Sequence, residues 1–279
     1  MKTKTIHISQ KLEKFGIFFG LSLIILMTIL AIFAPVISPH DPLEINIQNK
    51  MAAASPDYPF GTDNLGRCIF SRVLYGARYS LTYAGILLAI MLAISIPLGL
   101  LCGYIGGKFD LIVMGIADAV MAFPSTIVAL AVAGLLGPSA QNLILALSCV
   151  WWASYTRLIR GMTLEIKEKE FILAAKGSGC STIKILLRYI LKNMLSPLCV
   201  LAALEVGIII LSIAGFSFIG LGAQPPTPEW GVMMNDYKDY VQLYPQLMLY
   251  PGLFIAITVI GFSLFGSGLK SLLKRRDST

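Results

Sequence analysis

The chain has 279 residues, 56% of them hydrophobic and 13% charged, with a formal net charge of +7. A water-soluble domain carries roughly a quarter charged residues, so this composition excludes a soluble globular protein and leaves no room for a separate soluble domain. The basic balance does not require nucleic acid, because lysine and arginine gathered on one side of a membrane protein serve to orient it.

The N-terminal tail, 1–15, carries Lys2, Lys4, Lys11 and Lys14 ahead of an apolar run over 16–37. That run exceeds the apolar core of about 7 to 15 residues in a signal peptide. Ile32 and Pro35 also spoil a cleavage site after Ala34, so the run is expected to remain as a first span. A polar loop over 38–78 follows, in which Asp63 is expected to cap the N-terminus of a helix along the membrane surface. Span 2 is expected within 79–107. The stretch 111–156 is interrupted only by Asp118 and is long enough for two spans, with "GLLGPSAQN" (134–142) as the turn. Span 5 is expected over 194–221, interrupted by Glu205, then a Pro-rich loop over 222–245, span 6 over 246–268 and a tail over 270–279. Backbone polar groups in lipid must be satisfied within the segment, so the spans are expected to be helices. The expected fold is thus an all-α polytopic membrane protein with six transmembrane helices, its membrane domain covering 16–269.

Six spans put both termini on one side. Seventeen Lys and Arg residues then fall on the side of the termini, in the tails, the 2–3 loop and the 4–5 loop over 157–192. Five fall opposite: Lys50, Arg67, Arg72, Arg78 and Lys238. The excess assigns the termini to the cytoplasm and the loops 38–78 and 222–245 to the outside.

The five cysteines, Cys68, Cys102, Cys149, Cys180 and Cys199, show no C-x-x-C pair and read as packing or unpaired thiols. The two histidines, His7 and His40, lie outside the spans, which excludes an intramembrane His metal site, and no catalytic pair stands out.

The segment between spans 4 and 5 differs from its surroundings. Glu165 to Lys176 holds good helix formers and a Glu165–Lys169 pair at helical spacing. Gly177 and Gly179 then interrupt it. From Ser181 to Met194, Ile183, Leu186, Leu187, Ile190, Leu191 and Met194 recur at helical spacing, with Lys184, Arg188 and Lys192 on another face. This pattern predicts a helix, a glycine turn and an amphipathic helix on the cytoplasmic side. Periodicity alone leaves two readings: an ordinary basic interfacial loop, or a docking element in which the small residues Ala174, Ala175 and Gly179 admit another surface.

"EFILAAKGSG" followed by "LLRYILKN" resembles the EAA loop of ABC importer permeases, with Ala174, Ala175 and Gly179 at the matching spacing. "FGTDNLGRCIFSRVLYGARYSL" (60–81) and "FSFIGLGAQPPTPEWG" (216–231) resemble stretches of the dipeptide, oligopeptide and nickel permeases, and the likeness covers about 60–270. The resemblance implies the C-type subunit of a binding-protein-dependent importer in the bacterial cytoplasmic membrane. It further implies a helix-turn-helix coupling element seated in an ATPase subunit, with Glu170, Ala174, Ala175 and Gly179 as contact positions. Departures exist: Tyr189 and Lys192 stand where the family often has His and Pro. Ile213 stands where a Glu is common, with Glu205 two turns earlier as its possible replacement.

The chain lacks a G-x-x-x-x-G-K-[ST] loop; "CGYIGGKFD" (102–110) misplaces its first glycine and has Phe109 at the Ser/Thr position. No cofactor is therefore expected on this chain, ATP and magnesium belonging to two partner ATPase subunits. A second, B-type permease subunit, an external solute-binding protein and membrane lipid complete the expected partners. Asp63, Arg67 and Arg72 are candidates for docking the binding protein, against a plain surface helix as the alternative. Asp118 and Glu205, charged residues inside spans, are candidates for the translocation path. The alternative for Asp118 is a place near water at the cytoplasmic end of its span. The expected substrate is nickel, as a chelate, or a di- or oligopeptide. Met233 and Met234 are either soft ligands or apolar surface. The alternatives are a peptide-only nutrient permease and a channel outside the ABC class, which would need no coupling element.

Overall fold

The computed structural model describes residues 2–276, which form helices and connecting loops. The elements, in chain order, are α1 (Lys2–Ile37), α2 (Ile69–Ile105), α3 (Gly107–Met121), α4 (Ser125–Leu136), α5 (Ala140–Lys167) and α6 (Glu170–Gly177). A continuous α7 (Thr182–Phe218), a short α8 (Trp230–Tyr237) and α9 (Gln246–Arg276) follow. Among the described residues the only β pairing is an isolated bridge between Thr62 and Cys68.

Among the described residues, four helices are long and apolar enough to cross a membrane: α1 from Lys14, α2, α7 and α9 as far as Leu273. A fifth is counted if α3 and α4, bent by 85° at their junction, form one broken span. The break at 122–124 was not expected. Pro124 is its cause, since proline disfavours helical geometry in the residue before it and cannot donate to the preceding turn. The expected turn before α5 does occur, around Gly137 and Pro138, with the Ser139 side chain accepting from Asn142 N (3.0 Å).

α5 is absent from that set because Gln141, Asn142, Arg157 and Arg160 dilute its apolar face. Its packing explains the tolerance. α5 runs along α2, where Gly99 and Gly103 let the two backbones approach: a Cβ at Gly99 would lie 2.7 Å from Ile159, and one at Gly103 2.6 Å from Thr163. A helix sheathed by its neighbours meets lipid over only part of its surface.

Several expected boundaries need correction. α2 begins at Ile69, so Arg72 and Arg78 sit on the first turns of a long helix, and the described loop before it holds only a 3-10 turn, Ile47–Asn49. α5 continues to Lys167, so Arg157 and Arg160 belong to that helix rather than to a loop starting at 157. Glu165 and Lys169 do not share a helix, because the chain turns at Glu168 and Lys169 is the N-cap of α6. The amphipathic stretch 181–194 is the start of α7, not a helix of its own. A π-helical turn over Ile185–Ile190 shifts its register, burying Ile185, Leu186, Ile190 and Met194 and exposing Ile183 and Leu187.

α2 and α7 each have 37 residues. At 1.5 Å per residue each is about 55 Å long, well beyond a hydrocarbon core of about 30 Å. Both therefore protrude. The apolar core is correspondingly divided. A large cluster includes Met27, Leu87, Leu143, Ile213 and Trp230, and a smaller one gathers Ile159, Ile172, Ile185, Ile190 and Met194 beneath α6.

Candidate functional site

At the end of the bundle carrying the long loops, hereafter the loop end, four charges and a phenol are enclosed together. Asp63, Arg67 and Arg72 are all buried. Asp63 closes its own turn, its Oδ1 accepting from Leu65 N (2.9 Å) and Arg67 N (3.0 Å). Its Oδ2 accepts from Arg67 Nε (2.7 Å) and from the Tyr237 hydroxyl (3.2 Å), with Arg72 Nε at 3.7 Å. Both guanidinium groups reach Asp236 Oδ2, at 3.3 Å from Arg67 and 3.4 Å from Arg72. Buried charges persist only when paired in this way. Burial pushes the Tyr237 phenol above its ordinary range, which keeps it a donor to Asp63.

Asp63 therefore does not cap α2, whose N-cap is Cys68. The two arginines spend their charge inside the molecule instead of presenting it outward. Asp236 and Tyr237 were missed in the sequence because they lie more than 160 residues from Asp63 and Arg72 and carry no local signature.

The same loop is fixed at a second point. Glu229 is fully buried and N-caps α8, with Oε2 accepting from Val232 N (3.1 Å) and Oε1 from Ser80 Oγ (3.1 Å). Trp230 donates through Nε1 to Val73 O (3.0 Å) and covers Gly76, where a Cβ would lie 2.5 Å from the indole. Met233, one of the two methionines considered as a ligand, is buried in the large core beside Trp230, and Met234 packs against that core.

Within the bundle, α3 and α5 are joined by two acid–arginine pairs. Arg160 grips Asp110 with both arms, at 3.1 Å and 2.6 Å. Arg157 pairs with Asp118, and both of these side chains are about half exposed, at 47% and 60%. A cleft of about 680 Å³ runs between them, lined by Asp110, Gly115, Asp118, Arg157 and Arg160 among others. Glu205 of α7 faces the Tyr155 hydroxyl of α5 and is not among the residues lining that cleft.

The opposite, basic end carries α6. Lys167 donates to the carbonyls of Tyr104 (2.7 Å) and Gly103 (3.3 Å), capping α2, and both Lys167 and Lys176 sit over the Tyr104 ring. α6 ends in a Schellman motif: Cys180 N donates to Ala175 O (3.1 Å) and Gly179 N to Lys176 O (3.0 Å). Gly179 is left-handed, φ +75°, with nothing near the position a Cβ would take. Ile172 and Ala175 turn inward, while Glu170, Ala174 and Gly179 face out beside exposed Phe171, Leu173, Ile183 and Leu187. The expected contact residues are thus together in one short element, with Ala175 serving its packing and the other three on its open side.

Residues 95–278 match the family described as "Binding-protein-dependent transport system inner membrane component". Residues 17–56 match the "N-terminal TM domain of oligopeptide transport permease C". The chain is 40% identical over 254 residues to a dipeptide transport system permease protein of Alkalihalophilus pseudofirmus, covering 91% of this chain and 84% of that one. It is 34% identical to a nickel transport system permease protein of Escherichia coli, covering 94% of each. It is 41% identical to a glutathione transport system permease protein of Shigella sonnei, covering 90% of this chain and 83% of the relative.

Proposed function

Since the chain belongs to the family of binding-protein-dependent transport system inner membrane components, we propose that it is the C-type permease subunit of an ATP-driven importer. The observation that carries this reading is the likeness over nine-tenths of the chain to permeases named for dipeptides, nickel and glutathione. The cargo is a di- or oligopeptide or nickel in chelated form. The chain adopts six spans: α1, α2, the broken α3–α4, α5, α7 and α9. Both termini and α6 lie in the cytoplasm, so the basic end faces the cell interior and the loop end faces out.

In this arrangement α6, its glycine turn and the start of α7 form the coupling element. Glu170, Ala174 and Gly179 mark the surface on which an ATPase subunit rests, with Ala175 packed beneath it, and the exposed apolar residues beside them supply the contact area. A second ATPase, a B-type permease and an external binding protein complete the complex. Nucleotide-dependent movement of the ATPases biases the spans between outward and inward openings through differential contacts. Asp118, in the cleft between α3 and α5, and Glu205, against Tyr155, are the charges assigned to the translocation path. Asp63, Arg67 and Arg72 support docking of the binding protein indirectly, by holding the external loops in one shape.

Uptake in cells lacking the chain, with and without its restoration, tests the assignment. Labelled free nickel, chelated nickel and a labelled dipeptide are compared. Restoration of dipeptide uptake assigns the peptide branch, and restoration of chelated nickel alone assigns the metal branch. No restoration of any cargo overturns the importer reading. Gly179→Asp tests the coupling element: it is expected to abolish uptake and ATPase co-purification, and normal values for both refute the docking surface.

A further inference from the structure

Two ion pairs join α3 to α5, and they differ in a way that points to a site. Asp110–Arg160 is bidentate, with the carboxylate only 16% exposed, and lies near the start of α3. That is a pin between helices. Asp118–Arg157 is 60% and 47% exposed and opens into the cleft of about 680 Å³. Asp118 is eight residues further along α3, about 12 Å deeper into the membrane-length segment. A charge facing hydrocarbon costs about 2.5 kcal/mol or more, so this surface meets water or protein.

A second observation at the same depth agrees. The α3–α4 break over 122–124 follows Asp118 by one helical turn, and Ala122, Phe123 and Pro124 are exposed. Irregular backbone at membrane depth is tolerated where it is buried in protein or lines a watery cavity. An exposed ion pair and an exposed helix break thus lie one turn apart along the same segment.

We propose that Asp118 and Arg157 form a transit site for the charged ends of a short zwitterionic peptide. The Arg157 guanidinium takes the terminal carboxylate and the Asp118 carboxylate takes the terminal ammonium, the peptide replacing their mutual contact. The choice of ligand rests on the importer reading above. The exchange is nearly balanced, because an exposed ion pair is held by at most about 1 kcal/mol. A site that exchanges one ion pair for two similar ones binds cargo weakly and releases it, which is what transit requires.

The test uses the assembled transporter in lipid nanodiscs, with exposed Cys149 and Cys199 replaced by serine and Asp118→Cys introduced. A charged methanethiosulfonate reagent is expected to label the thiol introduced by Asp118→Cys from water. Saturating alanyl-alanine is expected to slow that labelling severalfold through Arg157, and its C-terminal amide is not. Absence of labelling overturns the proposal in favour of lipid or the second permease covering this face. Labelling slowed equally by both peptides, or by neither, overturns it as well. In cells, Arg157→Gln is expected to lower maximal dipeptide uptake roughly tenfold, the equivalent of one charge-assisted hydrogen bond. The double exchange Asp118→Arg with Arg157→Asp serves as control. If it restores full uptake, the pair is only a helix pin and the site is refuted. Should the unaltered chain restore no dipeptide uptake, the peptide reading fails separately, before any variant is compared.

Discussion

The loop end and the basic end of this bundle are held by different physics. At the loop end, Asp63, Arg67, Arg72 and Asp236 are locked in an enclosed network, and Trp230 and Glu229 nail α8 to α2. At the basic end, α6 rests on a small apolar cluster and is tied by backbone caps and by lysines over Tyr104. Buried charge networks fail as a unit when one member is removed, whereas exposed contacts are lost one at a time. In the arrangement proposed above, the enclosed network would give a rigid frame where cargo is handed over, and the basic end a deformable surface where motion enters.

The largest expected effect comes from breaking the enclosed network. Asp63→Ala leaves Arg67 and Arg72 buried with only Asp236 opposite them, a loss of about 3 to 5 kcal/mol. Thermal unfolding of the purified protein should show a large fall in Tm, or no folded protein at all. Retention of wild-type stability would mean that water reaches the arginines and that the loop end is as soft as the other. Next in size is Gly76→Ala, which drives a methyl to 2.5 Å from the Trp230 indole and should cost about 1 to 3 kcal/mol. Trp230 fluorescence should shift as the ring moves, although Trp151 and Trp152 must first be replaced to isolate it.

The contrast between the ends also decides what could be read from the sequence. The basic end was legible because its signals are local. Apolar spacing, two glycines and small residues fall within 25 residues, and α6, its turn and the start of α7 form there. Even so, the π turn was not visible, so the spacing rule put Ile183 and Leu187 on the apolar face, whereas the structure leaves both exposed. The loop end was much less legible. Asp63 and the arginines were singled out, but their meaning depends on Asp236 and Tyr237, which reach them only through the fold. A charge in an external loop looks solvated until its distant partner is known. The mid-chain charges fall between these cases: Asp118 was noticed as an interruption, while its partner Arg157 was assigned to a loop because hydropathy fell before the helix ended.

Gly179→Ala probes the basic end with a smaller perturbation. Nothing blocks the methyl, but the left-handed backbone costs roughly 1 to 2 kcal/mol for a residue with a Cβ. That strain falls on the Schellman cap alone, so global Tm should move little while the α6–α7 turn loosens. Hydrogen exchange at Cys180 N, which the cap holds on Ala175 O, should accelerate. ATPase co-purification should weaken without being lost. A large fall in Tm would show that the turn is part of the structural frame and would erase the contrast between the ends.

The smallest effect expected is at the pin between α3 and α5. Arg160→Gln removes both arms from Asp110, yet the arginine is 34% exposed and the freed carboxylate can turn toward water. Such partly exposed pairs contribute about 1 kcal/mol or less, far below a charge stranded at the loop end. The thermal midpoint should therefore fall by only a few degrees, and raised salt should shrink the difference between variant and wild type, because screening weakens a pair that water can reach. The enclosed network at Asp63 should show no such salt dependence. If Arg160→Gln proves as damaging as Asp63→Ala and insensitive to salt, the α3–α5 seam is dry in the assembled protein, and the deeper Asp118–Arg157 pair beside it cannot be reached from water either.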